Sequence, residues 1–290
     1  ARKRDGLYIL PPAHSPAAAN GGDIGNLYFN LDYIYASSED FVVLCGSQTV
    51  CNLPLDQAFH YHLSVGADVT VIGRDCPDDW QGPCLTMDED GQVAALCRPD
   101  EPSQYDIQPL GFYIMSKSLM AELVRRCAAE GGHDLFVDGV IKNLSSLKVC
   151  VFRHTGYVAR IDSIAAYFQH QLELLHPSVW QELFFRYGIV YTKVKDEAPA
   201  KYKEQAVVRN SLVANGCIIE GAVENCILSR SVVIEKDAVV RNSIISQNVR
   251  IGSQARLSHV LCDKDSSVSA GRCLTGALHN PFIVRKGAVV

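Results

Sequence analysis

The 290-residue sequence has no apolar run of about 18 residues, the length a helix needs to span a bilayer, so no membrane helix organises it. Nor is there an excess of one charge sign. Lys and Arg number 27 against 32 Asp and Glu, a net charge of -5, which leaves no electrostatic footprint for nucleic acid or an anionic membrane surface. The opening "ARKRDGLYILPPAHS" has only a short apolar run before Pro11 and Pro12, too little for a signal peptide. Eleven cysteines are present but no C-x-x-C pair. They lie in apolar surroundings such as "VVLCGS", "LKVCVF" and "HVLCDK". That pattern reads as buried free thiols in a reducing compartment, the cytoplasm, rather than as a disulfide framework.

What is there is an ordinary globular composition, 48% hydrophobic and 20% charged, in a chain long enough for one or two domains. Over the first 175 residues strand and helix signals alternate. Strands are predicted at Leu7 to Leu10, Phe41 to Leu44, Val69 to Ile72, Leu110 to Met115 and Leu147 to Phe152. Ile24, Leu27, Tyr28, Leu31 and Ile34 recur at helical spacing, with Asp23 available as a cap. Further helices are predicted from Pro54 to Gly66, from Ser116 to Gly131 and Gly132, and from Ser163 with Ile164, Tyr167, Phe168, Leu172 and Leu175 on its apolar face. Such alternation predicts an α/β domain built on a doubly wound, mostly parallel sheet covered on both faces. "FVVLCGS" then reads as a buried parallel strand ending at Gly46 and Ser47, the edge where open α/β sheets place ligands.

A charged stretch without sustained periodicity, 190–205, reads as a linker between a domain over 1–189 and another over 206–290. In the second domain "NSLVA" at Asn210, "NCILS" at Asn225 and "NSIIS" at Asn242 repeat one motif, with "SHVLC" at Ser258 a degraded copy. Ile227, Val233, Val239, Ile245, Ile251 and Leu257 fall every six residues, with Asn225, Ser231, Ser243 and Ala255 two positions before several of them. A six-residue aliphatic period predicts a triangular β-solenoid, each face contributing one inward side chain. An ordinary antiparallel β-domain is the alternative.

This layout, together with "GDIGNLYFNLDYI", "FVVLCGSQTV", "GADVTVIG", "LGFYIMSKSLM", "GHDLFVDGVI", "GYVARIDSIAAY", "YTKVKDEAPAKY" and "NSLVANGCIIEG", resembles bacterial glucose-1-phosphate adenylyltransferase (ADP-glucose pyrophosphorylase), most closely its D-type, regulatory subunit. The resemblance implies a Rossmann-like nucleotidyltransferase domain followed by a left-handed hexapeptide β-helix. The family's Gly-rich nucleotide loop does not occur in the sequence, which predicts an N-terminally truncated chain. Where the family places two Mg²⁺-binding aspartates, this sequence has Ser47 and Arg160, and Val158 stands for a tryptophan. Cys97, Arg98 and Pro99 replace the Glu-Lys-Pro that grips the sugar phosphate. Tyr113 and Asp134 match residues that face glucose 1-phosphate, although Tyr113 equally fits strand core and Asp134 a helix N-cap.

A neutral hydroxyl and a guanidinium do not make an Mg²⁺ site, so the expectation is a chain without catalytic residues or a cofactor of its own. Its pocket, formed by Tyr113, Asp134 and Arg98, would be vestigial or a sugar-phosphate binder. Its expected partner is a catalytic adenylyltransferase subunit in a homo- or hetero-oligomer. Two other readings remain open. One is an active nucleotidyltransferase whose metal site is rebuilt from Asp56, Asp138 or Asp162. The other is a hexapeptide acyltransferase using His259 or His279 as a base.

Overall fold

The computed structural model describes residues 8–12, 22–77, 80, 82–97, 106–188 and 196–290. Arg98 and Pro99, named above, lie outside the described residues, as do Leu7 and residues 189–195. The chain divides into two compact units, one of residues up to 47 with 54–155, the other of 48–53 with 156–290.

The first unit is built on a six-stranded sheet in the order β5-β4-β6-β3-β7, with β1 also paired to β6. The strands are β1 (Phe41–Cys45), β3 (Val69–Asp75), β4 (Cys84–Met87), β5 (Val93–Cys97), β6 (Ile107–Ser116) and β7 (Val149–Arg153). The α/β class stands, but the sheet is mixed rather than mostly parallel. Only β3 and β7 run parallel; β6 is antiparallel to β1, β3 and β4, and β4 to β5. The reason is local. No described helix separates β3, β4, β5 and β6, and a parallel pair needs a crossover of a dozen or more residues. A strand covered on both faces is apolar throughout in either direction.

Both faces of β3 are indeed covered, with Val69, Thr70, Val71 and Ile72 fully buried. On one side Leu85, Ile107 and Met115 pack with Ile24, Met120, Leu123 and Val124. Ala58 and His62 are buried on helix α3 (Leu55–Val65), which packs on β3 and β7. That helix ends at Gly66, whose positive φ of 58° is the left-handed conformation glycine adopts without strain. Helix α4 (Lys117–Ala129) begins at Ser116, whose hydroxyl accepts from Leu119 N–H at 3.2 Å. It stops at the Gly131–Gly132 pair, where Gly132 N–H reaches Cys127 O.

Three expectations need correction here. The single helix predicted around residues 24–34 is two, α1 (Gly22–Phe29) and α2 (Leu31–Ala36), broken at Asn30, whose amide donates back to Asn26 O. Tyr8, Ile9 and Leu10 are exposed and form no strand among the described residues. Strand β1 is half-exposed and antiparallel, so Ser47 does not follow a buried parallel strand.

The second unit contains the hairpin of β2 (Thr49–Cys51) with β8 (Val158–Arg160), helices α5 (Ile164–Glu173) and α6 (Pro177–Phe185), and a β-solenoid. Ser163 caps α5 through Ala166 N–H at 3.1 Å. Three five-stranded parallel sheets form the solenoid faces: β10-β13-β16-β19-β22, β11-β14-β17-β20-β23 and β21-β18-β15-β12-β9. β9 (Lys201–Tyr202) lies within the stretch read as a linker and pairs with β12 (Ile218–Ile219).

The inward side chains are Leu228, Ile234, Val240, Ile245, Ile251, Leu257, Cys262, Val268 and Leu274. From Ile245 onward this is the register the sequence predicts. Before it, Ile227, Val233 and Val239 are half-exposed and their C-terminal neighbours point inward instead. The slip arises because steps of six, six and five residues, not three sixes, make one coil. Val239 therefore pairs with Arg256, 17 residues on, while the first coil, Val207 to Ala222, takes 15.

The Asn repeat marks the five-residue corner. Asn210, Asn225 and Asn242 have φ between 40° and 53°, and His259 continues the series at 53°. The fourth copy of the motif is thus aligned on His259, not Ser258. Short polar side chains tolerate this left-handed conformation and can bond locally. Asn210 Nδ2 donates to Asn225 Oδ1 at 2.7 Å and Asn225 Nδ2 to Asn242 Oδ1 at 3.2 Å, a ladder from coil to coil. A fully buried aliphatic side chain contributes about 1.5–3 kcal/mol, against about 1 kcal/mol for such a hydrogen bond. The aliphatic stack therefore holds the coils together and the ladder sets their corners. On the face of β11, β14, β17, β20 and β23 the outward register is also aliphatic: Leu212, Ile227, Ile244, Leu261 and Ile283. Helix α5 packs at β17, which leaves Ile244 only 3% exposed.

Candidate functional site

In the first unit, Tyr113 and Asp134 belong to one cluster that also takes in Asp23, Phe136 and Asp138. Tyr113 stands on β6, and its ring stacks on Phe136 with centroids 4.5 Å apart. Phe136 comes from a short π-helix, Leu135–Val140, of which Asp134 is the N-cap, its Oδ1 accepting from Val137 N–H at 2.9 Å. Asp23 Oδ1 accepts from Leu135 N–H at 3.0 Å, so it serves this distant segment rather than capping its own helix. Asp138 Oδ2 accepts from the N–H groups of His133 and Asp134 at 2.8 and 3.1 Å, while its Oδ1 pairs with Lys142 at 2.6 Å. Three carboxylates thus grip the turn over residues 133–137. Gly22 completes the fit: a Cβ there would stand 2.1 Å from His133 O.

The electrostatics follow from this crowding. Burial pushes the Tyr113 hydroxyl up, with the charges of Asp134 and Asp23 adding to it, so it remains a protonated donor at neutral pH. Burial also raises Asp23, against the lowering effect of the Leu135 N–H, and the nearby Asp134 raises it further. The Lys142 ammonium and the two backbone donors hold Asp138 well below the usual carboxylate range. One phenol donor beside carboxylate acceptors and an aromatic face suits a ligand rich in hydroxyl groups. Asp23 and Phe136 carry no signal that sequence reasoning used: Asp23 lies 112 residues from Leu135 and reads locally as a cap.

The other candidates lie elsewhere. Ser47 is exposed just beyond β1 in the first unit. Arg160 ends β8 in the second unit, opposite Thr49, with its Nε 3.3 Å from Asp162 Oδ2. Val158 is buried on the same strand, opposite Cys51. Of the acids that could rebuild a metal site, Asp138 is engaged with Lys142, Asp162 with Arg160, and Asp56 is exposed in the first turn of α3. Among the described residues no group of three or more His, Cys, Asp and Glu side chains is placed to hold a metal ion. His259 sits at a solenoid corner with Nδ1 3.1 Å from Ser258 Oγ, and His279 is exposed in the loop before Phe282. No helix among the described residues is long and apolar enough to cross a membrane.

Comparison with known proteins agrees with this architecture. Residues 196–277, most of the solenoid, match the family model described as GlmU-like, C-terminal hexapeptide, the left-handed β-helix class. Over 99% of its length the chain is 35% identical to the glycogen biosynthesis protein GlgD of Bacillus subtilis (strain 168), covering 75% of that protein. To the GlgD protein of Geobacillus stearothermophilus it is 37% identical over 99% of the chain and 75% of the relative. The glucose-1-phosphate adenylyltransferase of Fervidobacterium nodosum is 24% identical over 96% of the chain and 68% of the enzyme. With two relatives above 30% identity along almost all of it, the chain belongs to the GlgD family of glycogen biosynthesis proteins.

Proposed function

We propose that this chain acts in glycogen synthesis as a non-catalytic subunit that associates with a catalytic glucose-1-phosphate adenylyltransferase and raises its activity. One observation carries the reading: at a position where the family resemblance puts an Mg²⁺-binding carboxylate stands Arg160, a cation already engaged with Asp162. Ser47 at the other position offers only a neutral hydroxyl. Mg²⁺ takes hard oxygen ligands, usually carboxylates, and a guanidinium repels it, so the residues present do not fit the ion. Transfer of a nucleotidyl group joins two polyanions, and losing one electrostatic contact to the transition state costs about 3–4 kcal/mol. A chain lacking both carboxylates influences the reaction through a partner, by binding its competent conformation better than its idle one.

Formation of ADP-glucose by the chain alone, by a catalytic subunit alone and by the two mixed tests this. The expected result is no turnover alone and faster turnover in the mixture than with the catalytic subunit by itself. A second reading, an active nucleotidyltransferase, draws on the intact Asp23, Tyr113 and Asp134 cluster. Robust Mg²⁺-dependent turnover by the unmodified chain would establish that reading and end the first.

A further inference from the structure

We infer that Cys76 and Cys84 form a reversible thiol–disulfide couple, a redox modification site at the end of the first unit's sheet. Cys76 follows β3 directly and Cys84 opens β4, and their Sγ atoms lie 2.8 Å apart. A disulfide requires about 2.05 Å, so closing the bond asks for a movement of about 0.8 Å and no rearrangement of strands. The approach is held from both sides. Cys76 N–H bonds to Asp106 O at 3.1 Å, which ties it to the start of β6, and Cys84 is held in the β4–β5 ladder. Between them Trp80 folds the loop back on itself, its indole N–H donating to Pro83 O at 3.2 Å.

The two thiols are not equivalent. Cys84 is fully buried, whereas Cys76 is partly exposed, so Cys76 is the thiol a small oxidant reaches. With a low-molecular-weight disulfide such as oxidised glutathione, the Cys76 sulfur attacks one sulfur of the reagent. The reagent's S–S bond breaks and one glutathione leaves as a thiol, taking up the proton Cys76 gave. Cys84 then attacks the Cys76 sulfur, the mixed disulfide breaks, and the second glutathione leaves with the Cys84 proton. Two protein thiols are oxidised and one disulfide is reduced. Cys97 lies opposite Cys84 in the ladder, but its Sγ is directed to Cys84 O at 3.7 Å, so it is the bystander. Burial, the adjoining Cys84 and the charge of Asp106 push the Cys76 thiol up, with Arg74 opposing them. The couple therefore responds slowly at neutral pH, and its rate of closure should rise about tenfold per pH unit between about pH 7 and 9 as the thiolate fraction grows.

The test is incubation of the full chain with excess oxidised glutathione, followed by thiol counting under denaturing conditions and peptide mapping. Trypsin leaves Cys76, Cys84 and Cys97 in one peptide between Arg74 and Arg98, so a further cut after Trp80 by chymotrypsin separates the pair. The expected result is loss of two of the eleven thiols, a Cys76–Cys84 cross-link reversed by dithiothreitol, and no retained glutathione. Cys97→Ser should keep the cross-link, and Cys84→Ser should trap glutathione on Cys76. Eleven free thiols after oxidation, glutathione held on Cys76 of the unmodified chain, or a first bond that uses Cys97 would each overturn the assignment. The map of the unmodified chain decides the matter even if a variant fails to fold.

Discussion

Tyr113 lies almost flat on Phe136, their ring planes inclined by 19°, so that a strand residue and a π-helix residue share one aromatic surface beside Asp23 and Asp134. The hydroxyl and the stack can be separated. Tyr113→Phe combined with Asp134→Asn keeps the ring and a capping side chain but removes the donor and a charge. If the pocket is vestigial, activation of a catalytic partner is unchanged in this variant. Lost activation with assembly intact by light scattering would instead mean that the pocket still reads a sugar phosphate.

His62 supplies a pH dependence. It is 3% exposed, its Nδ1 is 2.9 Å from Thr70 Oγ1, and its pKa is lowered by burial, with Asp68 opposing. In the unfolded chain the imidazole takes a proton near pH 6.5, and in the folded chain only at lower pH. Below about pH 6.5 the unfolded state binds more protons, so stability falls with pH by up to about 1.4 kcal/mol per unit. Urea midpoints between about pH 7 and 5 should show this slope, and His62→Gln, which keeps a partner for Thr70, should flatten it.

The corner ladder makes an ordered prediction. Asn242→Gly loses the bond from Asn225 but tolerates positive φ, and should cost about 1 kcal/mol. Asn242→Ala also forces an unfavourable left-handed residue and should cost about 1–2 kcal/mol more. Urea unfolding followed by far-ultraviolet circular dichroism ranks them. Equal midpoints for the two variants would remove the conformational part of the explanation.

The helix caps offer a simpler check. Ser163→Ala removes the hydroxyl that accepts from Ala166 N–H and should destabilise the second unit by about 1 kcal/mol. Ser163→Asp, which can accept the same bond, should restore most of it.

What the sequence reveals and what it hides differ in range. Ser116, Ser163 and Gly66 are local signals, read correctly because a cap acts within one turn. Strand direction is not local: Val69 to Ile72 looks the same whether its neighbour Ile114 runs parallel or antiparallel. The solenoid register was misread over Ile227, Val233 and Val239 because each is followed by a second aliphatic residue, and only the five-residue corner selects between them. Tyr113 and Asp134 were reached through family resemblance, while Asp23 was visible only as a cap. Its true acceptor role depends on a segment more than a hundred residues away, which no pattern around Asp23 encodes.

The regular coil has a consequence for how such a domain changes length. From β13 to β16 and from β16 to β19, residues 17 apart occupy equivalent places and meet only the coils before and after. Duplicating or deleting a whole coil leaves every neighbour with the partner it had, whereas gaining or losing one residue turns the aliphatic row of a face outward. The solenoid is therefore free to grow or shrink only in indivisible steps, and its length behaves as a digit rather than as a dimension.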